Sequence, residues 1–376
     1  MSAPFRAEDV ARAFFARHPQ RVQTVDSHTG GEATRLIVTG LGPFPGPIPG
    51  QIPGKSMAEK RRWFQDNLDP VRLRLTREPR GHRDMVAAAL TEPVSPGAAF
   101  GLIYMDACRY PHLCGHATIG AVTSVLELGL LGPGGGPDNT RVQPSSEDPL
   151  VLTLIVDTPS GPLPVQARLD PADTSRVSSV TLTSVPAFVF AENVFLDVPS
   201  RLFGLERMRV DLVCVGGFFA MVDLDQPGLE INTASPRRII DQGMEIIRLT
   251  NEQVRVHHPL RPEVATVDVA EFYRHTGCRE GHGFVVYGES HLDRSPCGTG
   301  TTAKLTLLHH KGLLTDDTEY VNSGPLRTAF TARVHEQTTV GAFPAVTVRF
   351  TGSAHLTGLH EFVLCPDDPF PEGYLL

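Results

Sequence analysis

The sequence predicts a mixed α/β (α+β) protein of two similar domains, and three observations carry that prediction. A chain of 376 residues that is 41% hydrophobic is long enough for two domains of ordinary size. Short runs of strand character recur between turn-rich segments, with few helical patterns among them. One helix-like segment occurs twice, once in each half of the chain.

In chain order, helices are expected at 7–17, 57–68, 118–128, 235–249 and 298–310, where apolar residues recur at helical spacing. Strands are expected at 35–38, 100–105, 150–156, 180–182, 284–287 and 346–350. Two stretches read as surface loops: the Pro/Gly-rich 42–54, and 132–149, which is loaded with Gly, Pro, Asp, Asn and Ser and precedes a domain change.

The repeat is LCGHATIGAVTSVLELGLL, ending at Leu131, and PCGTGTTAKLTLLHHKGLL, ending at Leu314. Without a gap, Cys114 meets Cys297, Gly115 meets Gly298, Thr118 meets Thr301 and Gly129 meets Gly312. Each copy follows a predicted strand by a short loop, and each ends on a glycine suited to a helix C-terminus. The unit is therefore strand, loop, Cys-Gly, helix, Gly stop.

Composition narrows the function classes. The net charge of −8 and the absence of a long Lys/Arg run leave no electrostatic footprint for nucleic acid. Arg6, Glu8, Asp9, Arg12 and Arg17 interrupt the N-terminal stretch, and no later run is long enough to span a bilayer, so no membrane partner is expected and the cytoplasm is the expected location. Six cysteines in so long a chain are too sparse for a disulfide framework. Cys108, Cys214, Cys278 and Cys365 lack the glycine-rich helix-start setting and read as packing or incidental residues. Cys108, His112, Cys114 and His116 are close enough to suggest zinc, but the second copy of the repeat has no matching histidines. No metal is expected, and a small molecule is the expected partner.

Cys114 and Cys297 are different. A cysteine at a helix start meets free N–H groups and the positive end of the helix dipole, which is expected to lower its pKa from about 8.5. The glycines beside both cysteines leave the same N–H groups open to a carboxylate. Two such helices facing each other across an approximate twofold axis would set one thiol on each face of an α-carbon. Inversion of a stereocentre by proton transfer needs that pair: one base to remove hydrogen, one acid to deliver it to the other face.

These residues resemble the proline racemase family, which has a Cys-Gly-His segment in the first half and Asp-Arg-Ser-Pro-Cys-Gly-Thr-Gly in the second. Here they are Cys114-Gly115-His116 and 293–300. The resemblance extends through DSHTGGE (26–32), EPRGHRD (78–84) and Gly216-Gly217, nearly the whole chain. It implies the diaminopimelate epimerase-like fold: two similar domains, each a sheet wrapped round a central helix, with the active site in the cleft between them. The expected domains are 20–160, completed by 356–376, and 161–355. It further implies Cys114 and Cys297 as the acid/base pair without a cofactor, Asp293 as the partner of the substrate ammonium, and the amides of Gly115, His116, Gly298 and Thr299 as the carboxylate site. His28 and His82 either line the pocket or brace it.

Family dehydratases of trans-3-hydroxy-L-proline typically carry Thr at the second cysteine, so Cys297 favours two-faced chemistry. Proline racemases proper tend to have Phe where this chain has Val86, and the smaller side chain favours a hydroxyproline over proline. The expected activity is thus 4-hydroxyproline 2-epimerase or proline racemase, with dehydration as the alternative. A catalytically silent amino-acid-binding protein is the alternative of another class. A homodimer is the expected assembly.

Overall fold

A helix that is apolar on every side has no face for water and must be enclosed. The first copy of the repeat is nearly such a helix and the second departs from it by buried threonines and one buried lysine, and the rest of the chain wraps both. The computed structural model describes residues 6–18, 21–39, 52–131, 141–316 and 318–376. The first half runs through α1 (Ala7–Arg17), β1 (Val22–Thr29), β2 (Glu32–Thr39), α2 (Met57–Thr76), β3 (Val86–Thr91), β4 (Phe100–Met105), α3 (Gly115–Glu127), β5 (Gln143–Pro144), β6 (Val151–Thr158), β7 (Gly161–Leu169) and β8 (Val177–Thr183). The second follows with β9 (Ala187–Asp197), α4 (Ser200–Phe203), β10 (Arg207–Val215), β11 (Gly217–Asp223), α5 (Pro236–Gln253), β12 (Val267–Thr276), β13 (Glu280–Tyr287) and β14 (His291–Leu292). It ends with α6 (Gly298–His310), β15 (Tyr320–Ser323), β16 (Ala329–Val340), β17 (Phe343–Gly352) and β18 (Ala354–Phe362).

Strand pairing repeats between the halves. In one, β18, β1, β2, β3, β4, β6, β7 and β8 are neighbours in that order. In the other the order is β9, β10, β11, β12, β13, β15, β16, β17, and β17 closes back onto β9. The parallel pairs fall at matching places, β2/β3 with β11/β12 and β4/β6 with β13/β15. A parallel pair needs a long crossover. The helices supply it: α2 and α5 pack on the outside, α3 and α6 lie inside.

The enclosed helices form the core. Every residue of α3 from Gly115 to Val125 is buried, and α6 is buried from Gly298 to Leu308 apart from Thr299. Ile119, Val122 and Val125 pack with Leu36, Leu102, Val156 and Val180 from the surrounding strands. Ala303 and Leu307 pack with Val213, Phe219 and Val285. Both helices stop at the expected glycines, Gly129 at φ 63° and Gly312 at φ 68°, the left-handed region that a side chain disfavours.

Some element bounds differ from the sequence reading. The second helix continues past Leu68 through Pro70 to Thr76, because buried Leu75 and half-buried Val71 anchor the extra turns in the core beside it. Helix α3 begins at Gly115, not Thr118, since the Thr118 N–H closes the first turn on the Cys114 carbonyl at 3.1 Å. Cys278 and Cys365, expected to pack, are exposed, whereas Cys214 is buried. Residues 42–51 and 132–140 of the two expected loops lie outside the described residues.

The expected division at 160/161 falls in the turn of the β6–β7 hairpin, where Thr158 pairs with Gly161. Strand β8 packs on α3 and β9 on α6. We therefore place the crossover between halves at 184–186, with the return to the first half at Ser353, after which β18 pairs with β1.

Candidate active site

The starts of the two central helices meet. Cys114 is the N-cap of α3 and Cys297 the N-cap of α6. Between them the backbones touch. A Cβ on Gly298 would stand 3.4 Å from Gly115 Cα and 2.5 Å from Phe350 Cε2, and one on Gly115 would stand 3.3 Å from Gly298 Cα. Only glycine at both positions lets the helix starts approach this closely under the Phe350 ring.

The first-turn amides of Gly115, His116, Gly298 and Thr299 donate to no group among the described residues, as expected of helix N-termini. They converge with the two thiols on a cavity of about 60 Å³. Cys114, Gly115 and His116 line it from one half; Asp293, Cys297, Gly298 and Thr299 line it from the other. Val86, at the start of β3, forms part of the wall.

The two cysteines are held differently. Cys114 has ordinary extended backbone at φ −145°, and its Sγ lies 3.5 Å from His116 Nδ1. Cys297 sits at φ 59°, a left-handed conformation that costs a non-glycine residue about 1–3 kcal/mol. Surrounding bonds hold it there. The Cys297 N–H donates to Ser295 Oγ at 3.0 Å, and the Pro296 carbonyl accepts from Asn322 Nδ2 at 3.0 Å and Thr301 Oγ1 at 3.2 Å. Cys297 Sγ accepts from the Gly300 N–H at 3.3 Å and lies 3.5 Å from Thr299 Oγ1.

Electrostatics correct one expectation. Both thiols are pushed up rather than down, first by burial and then by carboxylates, Asp293 foremost. Helix-start donors pull the other way, Ala117 N–H on Cys114 and Thr299 and Gly300 on Cys297, but loss of hydration outweighs them. Asp293, itself buried, is pushed up by desolvation and by the neighbouring Glu32. Burial pushes His116 down to about 4, so its ring is neutral at pH 7.

Of the two roles open to His28 and His82, neither residue takes that of lining the cavity. His28 lies on β1, its ring tilted at 42° to that of His355 on β18 with centroids 5.2 Å apart, and accepts from the Gly31 N–H at 3.3 Å; it does not line the cavity. His82 is exposed in the loop before β3. Residues the sequence reading passed over do line the site: Asp106 and Arg109, joined at 3.2 Å, and Tyr287, whose ring lies under the Arg109 guanidinium. Their signal was position, in the loop before Cys114 and at the end of the strand before Asp293. Glu32, the last residue of DSHTGGE, is buried behind the site, 3.0 Å from His291 Nε2, and accepts from the Arg294 N–H at 2.6 Å.

Residues 24–375 match the family model described as Proline racemase. The chain is 36% identical to a proline racemase of Clostridioides difficile over 94% of this chain and 98% of that one. It is 35% identical to a 4-hydroxyproline 2-epimerase of Streptosporangium roseum over 94% of this chain and 97% of that one. Among solved structures, a hydroxyproline epimerase from Agrobacterium vitis with bound trans-4-hydroxy-L-proline superposes with a TM-score of 0.81 at 26% identity, covering 96% of each chain.

Proposed function

This chain belongs to the proline racemase family, and we propose that it is a cofactor-independent epimerase that inverts the α-carbon of 4-hydroxyproline, with proline as the second substrate. One observation carries the reading: two cysteines at the starts of two symmetry-related helices, on either side of one small cavity rimmed by unpaired amides.

In this reading the substrate carboxylate takes the amides of Gly115, His116, Gly298 and Thr299, a paired helix-end anion site. Its ammonium faces Asp293. That positive charge offsets the carboxylates that hold the thiols protonated, so a thiolate forms only when substrate is present. The thiolate on one face takes the α-proton, and the C–H electron pair spreads into the carboxylate, where the amides stabilise it. The thiol on the other face gives its proton to Cα. Each turnover leaves the two sulfurs with exchanged protonation, ready for the reverse direction.

Val86 supports a hydroxylated ring, because a larger ring at that wall would close the space the hydroxyl needs. The free thiols of all six cysteines suit the cytoplasm. Proton NMR in heavy water tests the function, with trans-4-hydroxy-L-proline, L-proline and trans-3-hydroxy-L-proline in separate tubes. The expected outcome is loss of the α-proton signal and growth of the opposite epimer, fastest with the 4-hydroxy substrate. A Cys297→Ser variant loses roughly 10²–10⁴ of that rate. Dehydrated product from the 3-hydroxy substrate alone would overturn the epimerase assignment, and binding without exchange would make the protein a silent binder.

A further inference from the structure

Beneath Cys297 lies a charged pair that the proton transfer itself does not use. Glu271 on β12 and Lys304 on α6 are both wholly buried, with Lys304 Nζ 3.4 Å from Glu271 Oε1. The ammonium is held by the His282 carbonyl at 2.7 Å and Asn322 Oδ1 at 2.6 Å. Neither carboxylate oxygen of Glu271 has a hydrogen-bond partner among the described residues. Taking such a pair out of water is costly, and burial of this kind is weak as a source of stability.

The fold makes room for it on purpose-shaped backbone. A Cβ on Gly283 would stand 2.8 Å from Glu271 Oε1, and one on Gly300 would stand 2.7 Å from Glu271 Oε2. That same point beside Gly300 is 3.2 Å from Cys297 Cβ, so the carboxylate and Cys297 flank the first turn of α6 at Gly300. The lysine end runs through Asn322 to the Pro296 carbonyl and Thr301 Oγ1, the groups that hold the left-handed Cys297 backbone.

Among the described residues the first half has no such pair behind Cys114. Lys304 aligns with Ala121 in the repeat, and the strand matching β12 carries Ala87, Ala88 and Ala89. Thr118, the match of Thr301, is met instead by the neutral Tyr104 hydroxyl at 2.7 Å. Two helices that match in sequence position and geometry are thus backed by an ion pair in one case and by two hydroxyls in the other.

We propose that the buried Glu271–Lys304 pair is a positioning device for Cys297 that makes the two cysteines unequal: it keeps the proton on Cys297 and leaves Cys114 as the base that opens the reaction. The inference rests on the reading of these cysteines as acid and base. The ionisable groups facing Cys297 are Asp293 from the preceding loop, Glu271 from β12 and Lys304 from its own helix. Those around the pair are Asp293, Tyr273, His275 and Tyr320. Cys114 faces Asp293, Glu32 and Asp106, and Cys297 faces Asp293 and Glu271; what sets Cys297 apart is that its second carboxylate is wholly buried and paired with a wholly buried lysine of its own helix.

The test is alkylation of the full chain by iodoacetamide across pH 6–10, with Cys114 and Cys297 read separately by peptide mass spectrometry. It needs no turnover, so its result is independent of which substrate, if any, is inverted. In the unaltered protein Cys114 is expected to react at lower pH than Cys297. Glu271→Gln is expected to move the Cys297 profile down by about one pH unit or more and leave Cys114 in place. Lys304→Gln is expected to move it up. If Glu271→Gln does not fold, the double variant Glu271→Gln, Lys304→Met leaves no buried charge unpaired, and Cys297 must then approach Cys114. Equal profiles in the unaltered protein, or a Cys297 profile unmoved by these variants, would overturn the proposal.

Discussion

At the residue scale, the site is governed by the cost of removing charge from water. A neutral imidazole and two neutral thiols are what burial favours, and His116 shows how that reaches stability. An unfolded histidine binds its proton near pH 6.5; burial pushes His116 down to about 4, with Asp293 pulling it partly back. Between those values the unfolded chain holds a proton that the folded protein does not. Stability therefore falls as pH drops from 6.5 towards 4, by about 3 kcal/mol over the full window. His116→Gln is expected to remove that part of the slope. Urea melts of both proteins at pH 7 and pH 4.5 check it: their difference in stability should narrow or reverse at the lower pH, and parallel slopes would sink the assignment.

At the element scale, the helix starts are the working part, and their spacing depends on two missing side chains. Gly298→Ala places a methyl 2.5 Å from Phe350 Cε2, closer than real contacts allow. Phe350 is buried on β17 and packs against Phe330, so it has little room to give. The expected cost is about 1–3 kcal/mol of stability from overpacking. The larger expected effect is on turnover, since parting the helix starts misplaces both thiols and the carboxylate amides at once. Thermal melts together with exchange rates separate the two. A variant that is destabilised yet keeps its full exchange rate would show that the close approach of α3 and α6 does not matter to the chemistry.

At the scale of the whole molecule, buried polar contacts tie the halves together behind the site. Glu32, in the turn-proximal end of β2, reaches across to His291 and to the Arg294 N–H, and Thr328 Oγ1 donates to the Gly30 carbonyl. The carboxylate of Glu32 raises His291 above its usual value despite burial. A raised histidine contributes stability that is fully present below pH 6.5 and is lost as pH climbs through the folded value. Glu32→Ala is accordingly expected to cost about 3 kcal/mol near pH 6 and less at pH 8. Denaturant melts at the two pH values measure this, and an equal loss at both would argue that Glu32 acts only as an acceptor for Arg294.

Much of this was legible in the chain alone, and the reason is duplication. The Cys-Gly start and Gly-Leu-Leu stop recur at one interval because each central helix must be buried on all sides and must end at a left-handed residue; these are local demands that leave local marks. The repeat therefore announced two equivalent halves, and with them the two cysteines and the helix-start glycines, while Asp293 came from the resemblance to the family's Asp-Arg-Ser-Pro-Cys-Gly segment. What it did not disclose depends on through-space neighbours. Only tertiary packing sets β8 on α3 and β9 on α6, on which we rest a division at 184–186. Only packing removes His28 and His82 from the cavity and brings in Asp106, Arg109 and Tyr287. Only burial decides that the thiols are raised against the pull of their helix dipoles, because desolvation is a property of the enclosing fold and the dipole a property of the helix.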